Sequence, residues 1–492
     1  MMEKIVYAAL TIIMAHLILG VVLWFRVRKL YSYPGVLGFP VIGNLFYFYR
    51  TLLLFTMDST HKYVLSVVEE NGSDGLLFHW MFGYNVLALI STPELVKKLS
   101  LHPDMADKSP MYGGFQVGFG GPFSRLHSGD EWKTKRKEYN FNLKKSRIEN
   151  EYCSTFIKCA DKMVNSMLAS PSNVVAIDVS VCLTQDVSFR TLFGIESNLV
   201  YDPDIVRAFH KVCEVGAQVG SNPTLSKVLA LVVMPLLNTL LGKKVAELRR
   251  LMLKGACNKL KSNQTSLKEL PLSTYVGSRN MKNNESEILL LNELQELYFT
   301  SAHTVSTSLA NTICFLAFLP DIQERAWQEQ YEIFGNDIRD PTIDDLNQMQ
   351  FLGRFIKESL RFLGPSVVGK MATADIDIDG ITIPQNTCVF FMLRYIRFHP
   401  KHWKDPYIFD PDRFIEQNDS LKHIYSPFGI GIRNCPGEYF GITLMKIALS
   451  KIIRRLKVKL VDKNLRFEDI KYKTYFLAEM ENQPKLQVEE RI

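Results

Sequence analysis

Phe428-Gly429-Ile430-Gly431-Ile432-Arg433-Asn434-Cys435-Pro436-Gly437 is the most informative run in this 492-residue chain. Glu438 to Arg454 follows, with apolar residues at helical spacing. The cysteine therefore sits just before a helix N-terminus, between glycines that let the backbone pass close to a flat ligand. The helix dipole and Arg433 both favour thiolate over thiol. A thiolate so placed can be an axial ligand to haem iron, pushing electron density onto the metal and promoting O–O cleavage. A lone cysteine in a glycine-rich turn is more often a buried core residue. Here Phe428, Gly431, Arg433, Cys435 and Gly437 occur together, and the combination points to a ligand.

The rest of the composition agrees with a globular enzyme: 47% hydrophobic, 11% aromatic and 22% charged. A net charge of +7 suits a basic face for an acidic protein or an anionic membrane surface. It is too small and dispersed for nucleic acid, and no nucleic-acid motif is present. The eight cysteines (Cys153, Cys159, Cys182, Cys213, Cys257, Cys314, Cys388, Cys435) form no CxxC pair. They read as reduced residues of a cytosol-facing domain, not as a disulfide framework or a zinc site.

Ile5 to Phe25 is apolar apart from His16, and at about 1.5 Å per residue it spans roughly the 30 Å of a hydrocarbon core. Arg26, Arg28 and Lys29 follow, which predicts a cytoplasmic side for everything downstream. A cleaved signal peptide is the competing reading, but the run is long and no small-x-small site follows it. Pro34 to Asn44 then holds two prolines and three glycines, a stiff, turned connector.

Leu76 to Phe82 and Asn85 to Ile90 read as a hairpin around Gly83-Tyr84. Thr92 is placed to cap a helix that opens on Pro93. Helical periodicity then marks Asp130 to Leu143, Tyr152 to Leu168, Pro203 to Val219, Lys243 to Leu260, Glu285 to Leu319, Ile322 to Phe334 and Leu352 to Phe362. Ser262 to Asn284 is polar and lacks it. Short strands are expected between Ala372 and Phe391, with Ile376 to Gly380 as a turn. No repeat appears. The expected organisation is an anchor and basic flank over 1–30, a connector over 31–50 and one catalytic domain over 51–492. That domain is mainly α with small β-sheets.

The Cys435 segment matches the FxxGxRxCxG signature of the cytochrome P450 superfamily in full, and the chain resembles that family along most of its length. Glu358 and Arg361 match its ExxR motif; three apart on a helix, they can pair. Phe409 to Phe414 resembles the segment that adds a second arginine, here Arg413. The resemblance implies that Glu358, Arg361 and Arg413 lock the scaffold behind the Cys435 loop. Trp132 and Arg136 match the WxxxR helix that donates to a haem propionate, which suits an indole N–H and a guanidinium fork. Lys133, Lys135 and Lys137 beside them could face an electron donor. The sequence style is similar to the animal subgroup that includes fatty-acid omega-hydroxylases and insect enzymes.

The departure lies in Phe299-Thr300-Ser301-Ala302-His303-Thr304-Val305-Ser306-Thr307. The family usually has an acid followed by a threonine here, feeding protons to iron-bound oxygen. Read without a gap, Thr304 replaces the acid and Val305 the threonine; read with a one-residue deletion, Thr304 is the threonine and the acid is missing. His303, Thr304 or Ser306 could relay protons instead, since imidazole titrates near neutrality. A packed or surface histidine is the alternative. Some relatives of the subgroup esterify a glutamate in this stretch to the haem. Ser301 stands in that region here, so non-covalent haem b is expected, apart from the Cys435–iron bond.

The resemblance implies an oxygen-inserting enzyme acting on a lipophilic molecule, such as a fatty acid, terpenoid, steroid or xenobiotic. Its apolar pocket would draw on Met105 to Phe123, Phe209 to Val233, Leu297 to Val305, Leu363 to Val368 and Phe476-Leu477. Electrons would come from NADPH through a separate diflavin reductase, since Gly118 to Gly121 has no strand–turn–helix context for a dinucleotide site. A hydrolase is disfavoured, because no GxSxG elbow is present. The expected location is the endoplasmic reticulum membrane, single-pass, facing the cytosol. Two other readings stay open: a haem-thiolate isomerase, dehydratase or peroxide-using enzyme, and a non-catalytic binder of hydrophobic ligands.

Overall fold

The computed structural model describes residues 10, 11, 14, 15, 17, 18, 21, 22, 25, 35, 36, 75–80, 86–109, 112, 128–194, 196–220, 284–416, 424–474 and 477–491. The fold is mainly helical with small sheets. Within the expected anchor, Leu10, Met14, Leu17, Ile18, Val21, Val22 and Phe25 are helical and exposed. Among the described residues no single helix is long and apolar enough to cross a membrane. Most of the anchor, the connector beyond Gly35–Val36, the expected helix at Lys243 to Leu260 and nearly all of the polar stretch from Ser262 lie outside them.

The chain divides into two compact units. The first takes its residues from 1–110, 365–406 and 419–433. Its sheet holds β1 (Gly35–Val36), β2 (Leu76–Trp80), β3 (Val86–Ile90), β4 (Asp107–Lys108), β5 (Val368–Met371) and β8 (Cys388–Phe391), in the order β1-β2-β3-β8-β5-β4. The predicted hairpin is present as β2 and β3, antiparallel, with Phe78 opposite Ala88. All five residues of β3 are buried, as befits an unbroken apolar strand covered on both faces. A separate hairpin pairs β6 (Ile376–Ile378) with β7 (Ile381–Ile383). Its turn is narrower than the sequence suggests: only Asp379 and Gly380 take positive φ, at 52° and 82°. Two such residues in succession make a tight turn whose twist suits the strands. Helix α1 (Pro93–Leu101) starts on Pro93, but Thr92 makes no side-chain cap bond. Proline alone sets this start, because its fixed φ and missing N–H suit a first turn.

The second unit takes its residues from 111–364, 407–418 and 434–492. Its principal helices are α2 (Asp130–Asn142), α3 (Cys153–Ala169), α4 (Ala176–Ser188), α5 (Pro203–Gly220), α6 (Asn284–Phe318), α7 (Pro320–Phe334), α8 (Gln350–Leu363) and α9 (Glu438–Arg455). Two small sheets complete it: β9 (Leu456–Leu460) with β12 (Leu486–Glu490), and β10 (Tyr472–Thr474) with β11 (Ala478–Met480). Pro320 ends α6, and α7 leaves at 106° to it. α6 packs on α4, α8 and α9. Phe189, Phe193, Phe209, Tyr298 and Phe299 form an aromatic cluster, with Phe209 stacked on Phe299 at 5.3 Å. The sequence reading missed α4. Ser180, Thr184, Gln185, Asp186 and Ser188 are all buried there, so its polar residues mark no solvent face.

Candidate functional site

The buried ion cluster on α8 is built as the spacing predicts. Arg361 grips Glu358 with two parallel bonds, Nε to Oε2 at 2.7 Å and Nη2 to Oε1 at 2.8 Å. Both side chains are fully buried. Arg413 Nε reaches the same Oε1 at 3.3 Å, and the backbone N–H of Asp410 donates to it at 2.9 Å. Arg413 also donates to the Ile408 carbonyl at 2.9 Å. Glu358 thus ties the Ile408–Arg413 segment to α8. Phe409 beside it packs edge-on against Phe315 and Phe355 and tilted against Phe362, an apolar surround for the ion pair.

The signature run crosses from one unit to the other between Arg433 and Asn434. On the second unit's side, Cys435 is the one exposed cysteine among the described residues. Burial pushes the thiols of Cys153 and Cys182 up to about 11, and raises those of Cys159, Cys213, Cys314 and Cys388 as well. Those six are held as neutral thiols; Cys435 is set apart. Arg136, on α2, donates from Nη1 to the Asn434 carbonyl and from Nη2 to Asn434 Oδ1, each at 2.6 Å. Burial lowers its pKa, and negative charge on Cys435 opposes that. Arg136 is therefore a cation that acts on the sulfur, one that the sequence reading, which named Arg433 and the helix dipole, did not include. Trp132 is buried on the same helix, and so is Lys135. Only Lys133 and Lys137 of the three lysines are exposed, which narrows the expected basic face.

Glycines of the run serve different ends. Gly431 has φ +79°, and a Cβ there would meet the Ser100 carbonyl oxygen at 2.3 Å. Its close approach is to the last turn of α1. Gly437 has φ −92°, which any residue adopts, and a Cβ would stand 3.8 Å from Cys435 Sγ. Glycine there keeps the space beside the sulfur open. Phe428 is half-buried. An exposed sulfur with open space and a guanidinium beside it fits a thiolate-held metal group.

In the first unit, Arg433 and Lys370 are both buried and act on each other as like charges, with Asp107 as the carboxylate opposing them. Burial pulls the Lys370 ammonium down to about 8, and Arg433 adds to the shift. Two buried cations near one carboxylate suit an acidic group such as a haem propionate. Sequence reasoning missed Lys370, because one lysine in Val367-Val368-Gly369-Lys370-Met371 carries no spacing signal.

On α6, Thr304 Oγ1 donates to the Thr300 carbonyl at 2.8 Å, and Ser306 Oγ to the His303 carbonyl at 3.0 Å. Both hydroxyls are turned back onto their own helix. His303 Nδ1 instead lies 3.3 Å from Thr307 Oγ1. Burial holds the His303 imidazole down to about 4, against the pull of Glu479. Val305 faces α9: its Cγ2 is 3.5 Å from where a Cβ on Gly441 would stand. Thus the residue of this stretch turned toward the Cys435 helix is apolar. The i to i+4 spacing of His303 and Thr307 was the signal for the pair that sequence reasoning left out.

The fold and these arrangements define a helical protein built to hold a metal group through sulfur. The chain belongs to the cytochrome P450 family, whose model matches residues 34–483. Cytochrome P450 4c21 of Blattella germanica is 28% identical, over 98% of each chain. Cytochrome P450 3A16 of Mus musculus is 26% identical over 86% of this chain and 84% of its own, and cytochrome P450 4e2 of Drosophila melanogaster 26% over 88% and 84%. The protein is therefore a haem-thiolate monooxygenase, an oxidoreductase of a family that binds haem through a cysteine thiolate and works with O2, lipophilic substrates and redox partners.

Proposed function

We propose that this chain is a membrane-anchored monooxygenase of lipophilic small molecules, with Cys435 as the iron ligand and electrons from NADPH through a diflavin reductase. The setting of Cys435 carries the reading: exposed, at the head of α9, beside the Arg136 guanidinium. Trp132 and Arg136 would donate to a haem carboxylate, Arg433 is a buried cation of the signature run, and Phe428, Gly431 and Gly437 shape the loop. When bound, haem b supplies the chemistry that inserts one atom of O2 into a C–H or C=C bond. Glu358, Arg361 and Arg413 lock the scaffold behind the Cys435 loop. His303 stays neutral on α6 and can accept a proton on one nitrogen while releasing one from the other. Thr304 and Ser306 give that stretch its remaining hydroxyls. The haem is non-covalent save for the Cys435–iron bond, since Ser301 bonds Ser188 at 2.8 Å and offers no carboxylate. Residues 1–30 anchor the chain in the endoplasmic reticulum membrane, 31–50 connect, and 51–492 act from the cytosolic side.

The test is turnover of a fatty acid, a terpenoid and a steroid by purified protein with reductase and NADPH. Oxygenated product is expected from at least one class. NADPH consumed with no product from any would count against the reading. Product from a lipid hydroperoxide without NADPH would favour an isomerase or peroxide-using enzyme instead. Acid-acetone should extract all the haem.

A further inference from the structure

Lys370 of β5 is only 3% exposed, yet its ammonium makes no hydrogen bond or ion pair among the described residues. Its neighbours in the first unit make that burial harder. Lys108 of β4 stands directly opposite it in the strand register, and like charges so placed repel. Arg433, itself buried, acts on Lys370 as a second like charge, and Asp107 of β4 opposes them. On the other side, β8 sets Val389 opposite Lys370 and brings one titratable group, the Cys388 thiol, which accepts a bond from Ser109 at 3.7 Å. The turn Pro103–Met105 packs on β5 and brings Asp104, which is tied to Thr373 and His102. An unpartnered buried cation is costly, and a bound anion removes that cost. An arginine here would stay charged at any ordinary pH; a buried lysine need not. Burial and Arg433 pull Lys370 down to about 8, against Asp107.

We propose that Lys370 and Arg433 bind a carboxylate, and that this hold weakens when Lys370 loses its proton. The carboxylate is one borne by the haem or that of a free small acid. The first source rests on the reading of the chain as a haem-thiolate enzyme. The protonated ammonium donates to a carboxylate oxygen, a charge-assisted bond stronger than one between neutral groups. As pH rises, the ammonium gives its proton to hydroxide, and the neutral amine keeps only weak donors. The carboxylate stays ionised throughout, and no electron moves. A bound carboxylate favours the charged ammonium, so Lys370 keeps its proton to higher pH with the ligand than without it. Affinity is therefore full below about 8. Above that it falls by up to about tenfold per pH unit, until the bound form also loses its proton. The Cys435 thiol works in the opposite sense on haem affinity, because it must lose a proton to bind iron.

Two measurements on the holoenzyme test this. The first is the equilibrium partition of haem between the enzyme and an apo-acceptor, from about pH 7 to pH 10, for the parent, Lys370→Arg and Lys370→Met. Ratios between variants at each pH cancel the responses of the acceptor and of Cys435. If the haem supplies the carboxylate, the parent should match Lys370→Arg below about 8 and fall behind it above. Lys370→Met should hold haem roughly 10- to 100-fold more weakly than the parent near neutral pH, the range of a lost charge-assisted bond. That gap should close as pH rises, which keeps the test decisive if the longer arginine does not fit. The second is NMR of carbon-13-labelled lysine in the diamagnetic ferrous carbon monoxide form, with and without sodium propionate. The Lys370 signal is identified by its loss in Lys370→Met. If the haem fills the site, this signal should titrate well above 8 and ignore propionate. If a free acid fills it, the signal should titrate near 8 and move to higher pH with propionate but not with sodium chloride, while the partition ratios stay level. Level partition ratios together with a signal that ignores propionate overturn the proposal. Protein isolated without haem would count against the haem-thiolate reading, and propionate titration of the protein as isolated then decides the site.

Discussion

Gly431 and Gly437 stand six residues apart in the same signature, yet replacing each with alanine should have opposite effects. At Gly431 the backbone is left-handed, φ +79°, which costs an L-residue about 1–2 kcal/mol. The new Cβ would also meet the Ser100 carbonyl oxygen at 2.3 Å, far inside any ordinary contact. The obstacle is backbone, so α1 or the loop must shift, and forcing an extra methyl into a packed place costs about 1–3 kcal/mol more. Gly431→Ala should therefore destabilise by about 2–5 kcal/mol. Gly437→Ala meets neither penalty: its φ is −92° and the nearest atom is Cys435 Sγ at 3.8 Å. It should fold as the parent does and show its effect only in haem content and in the spectrum of the bound haem. Thermal unfolding followed by circular dichroism, with haem quantified in parallel, separates the two. A Gly431→Ala variant as stable as the parent, or a Gly437→Ala variant that unfolds earlier than Gly431→Ala, refutes the reasoning.

Glu358→Ala should leave Arg361 and Arg413 without their carboxylate in a fully buried place, a loss of roughly 3–5 kcal/mol, read as a lower Tm and little haem-loaded protein. Arg136→Ala removes both bonds to Asn434, and it should weaken haem retention by roughly 1.5–3 kcal/mol, measured by transfer of haem to an apo-acceptor; full retention would count against its role. His303 has a folded pKa of about 4 against an ordinary 6.5, so the unfolded chain binds the extra proton between those values. Stability should therefore fall as pH drops through that window, and His303→Leu should show a shallower fall in chemical denaturation between pH 6.5 and 4; identical slopes would contradict the burial. Val305→Thr should lower hydrogen peroxide leakage per NADPH consumed, because it returns a hydroxyl to the position facing α9; unchanged leakage would favour Thr304 as the family's threonine.

Where the chemistry depends on close spacing, the sequence was legible. Glu358 and Arg361 pair because three residues on a helix bring them to one face, and Glu438 to Arg454 was placed within one residue of the observed α9. Helices with one apolar face were found; α4, buried with its polar residues turned inward, was not. Contacts set by distant parts of the chain left no local trace. Arg136 reaching Asn434, Ser100 crowding Gly431, and Lys370 sharing a buried place with Arg433 and Asp107 all span tens to hundreds of positions. Val305 facing Gly441, and β11 held on α6 by Asn311, are likewise products of packing.

The absorbance difference spectrum of the reduced protein with carbon monoxide, taken on the parent and on Cys435→Ala, shows whether the Cys435 thiolate holds the iron. A strongly red-shifted Soret band in the parent, the mark of iron held by thiolate, and its loss in the variant are expected. A parent band at the ordinary haem-protein position, or a red-shifted band that survives in Cys435→Ala, would contradict that ligation.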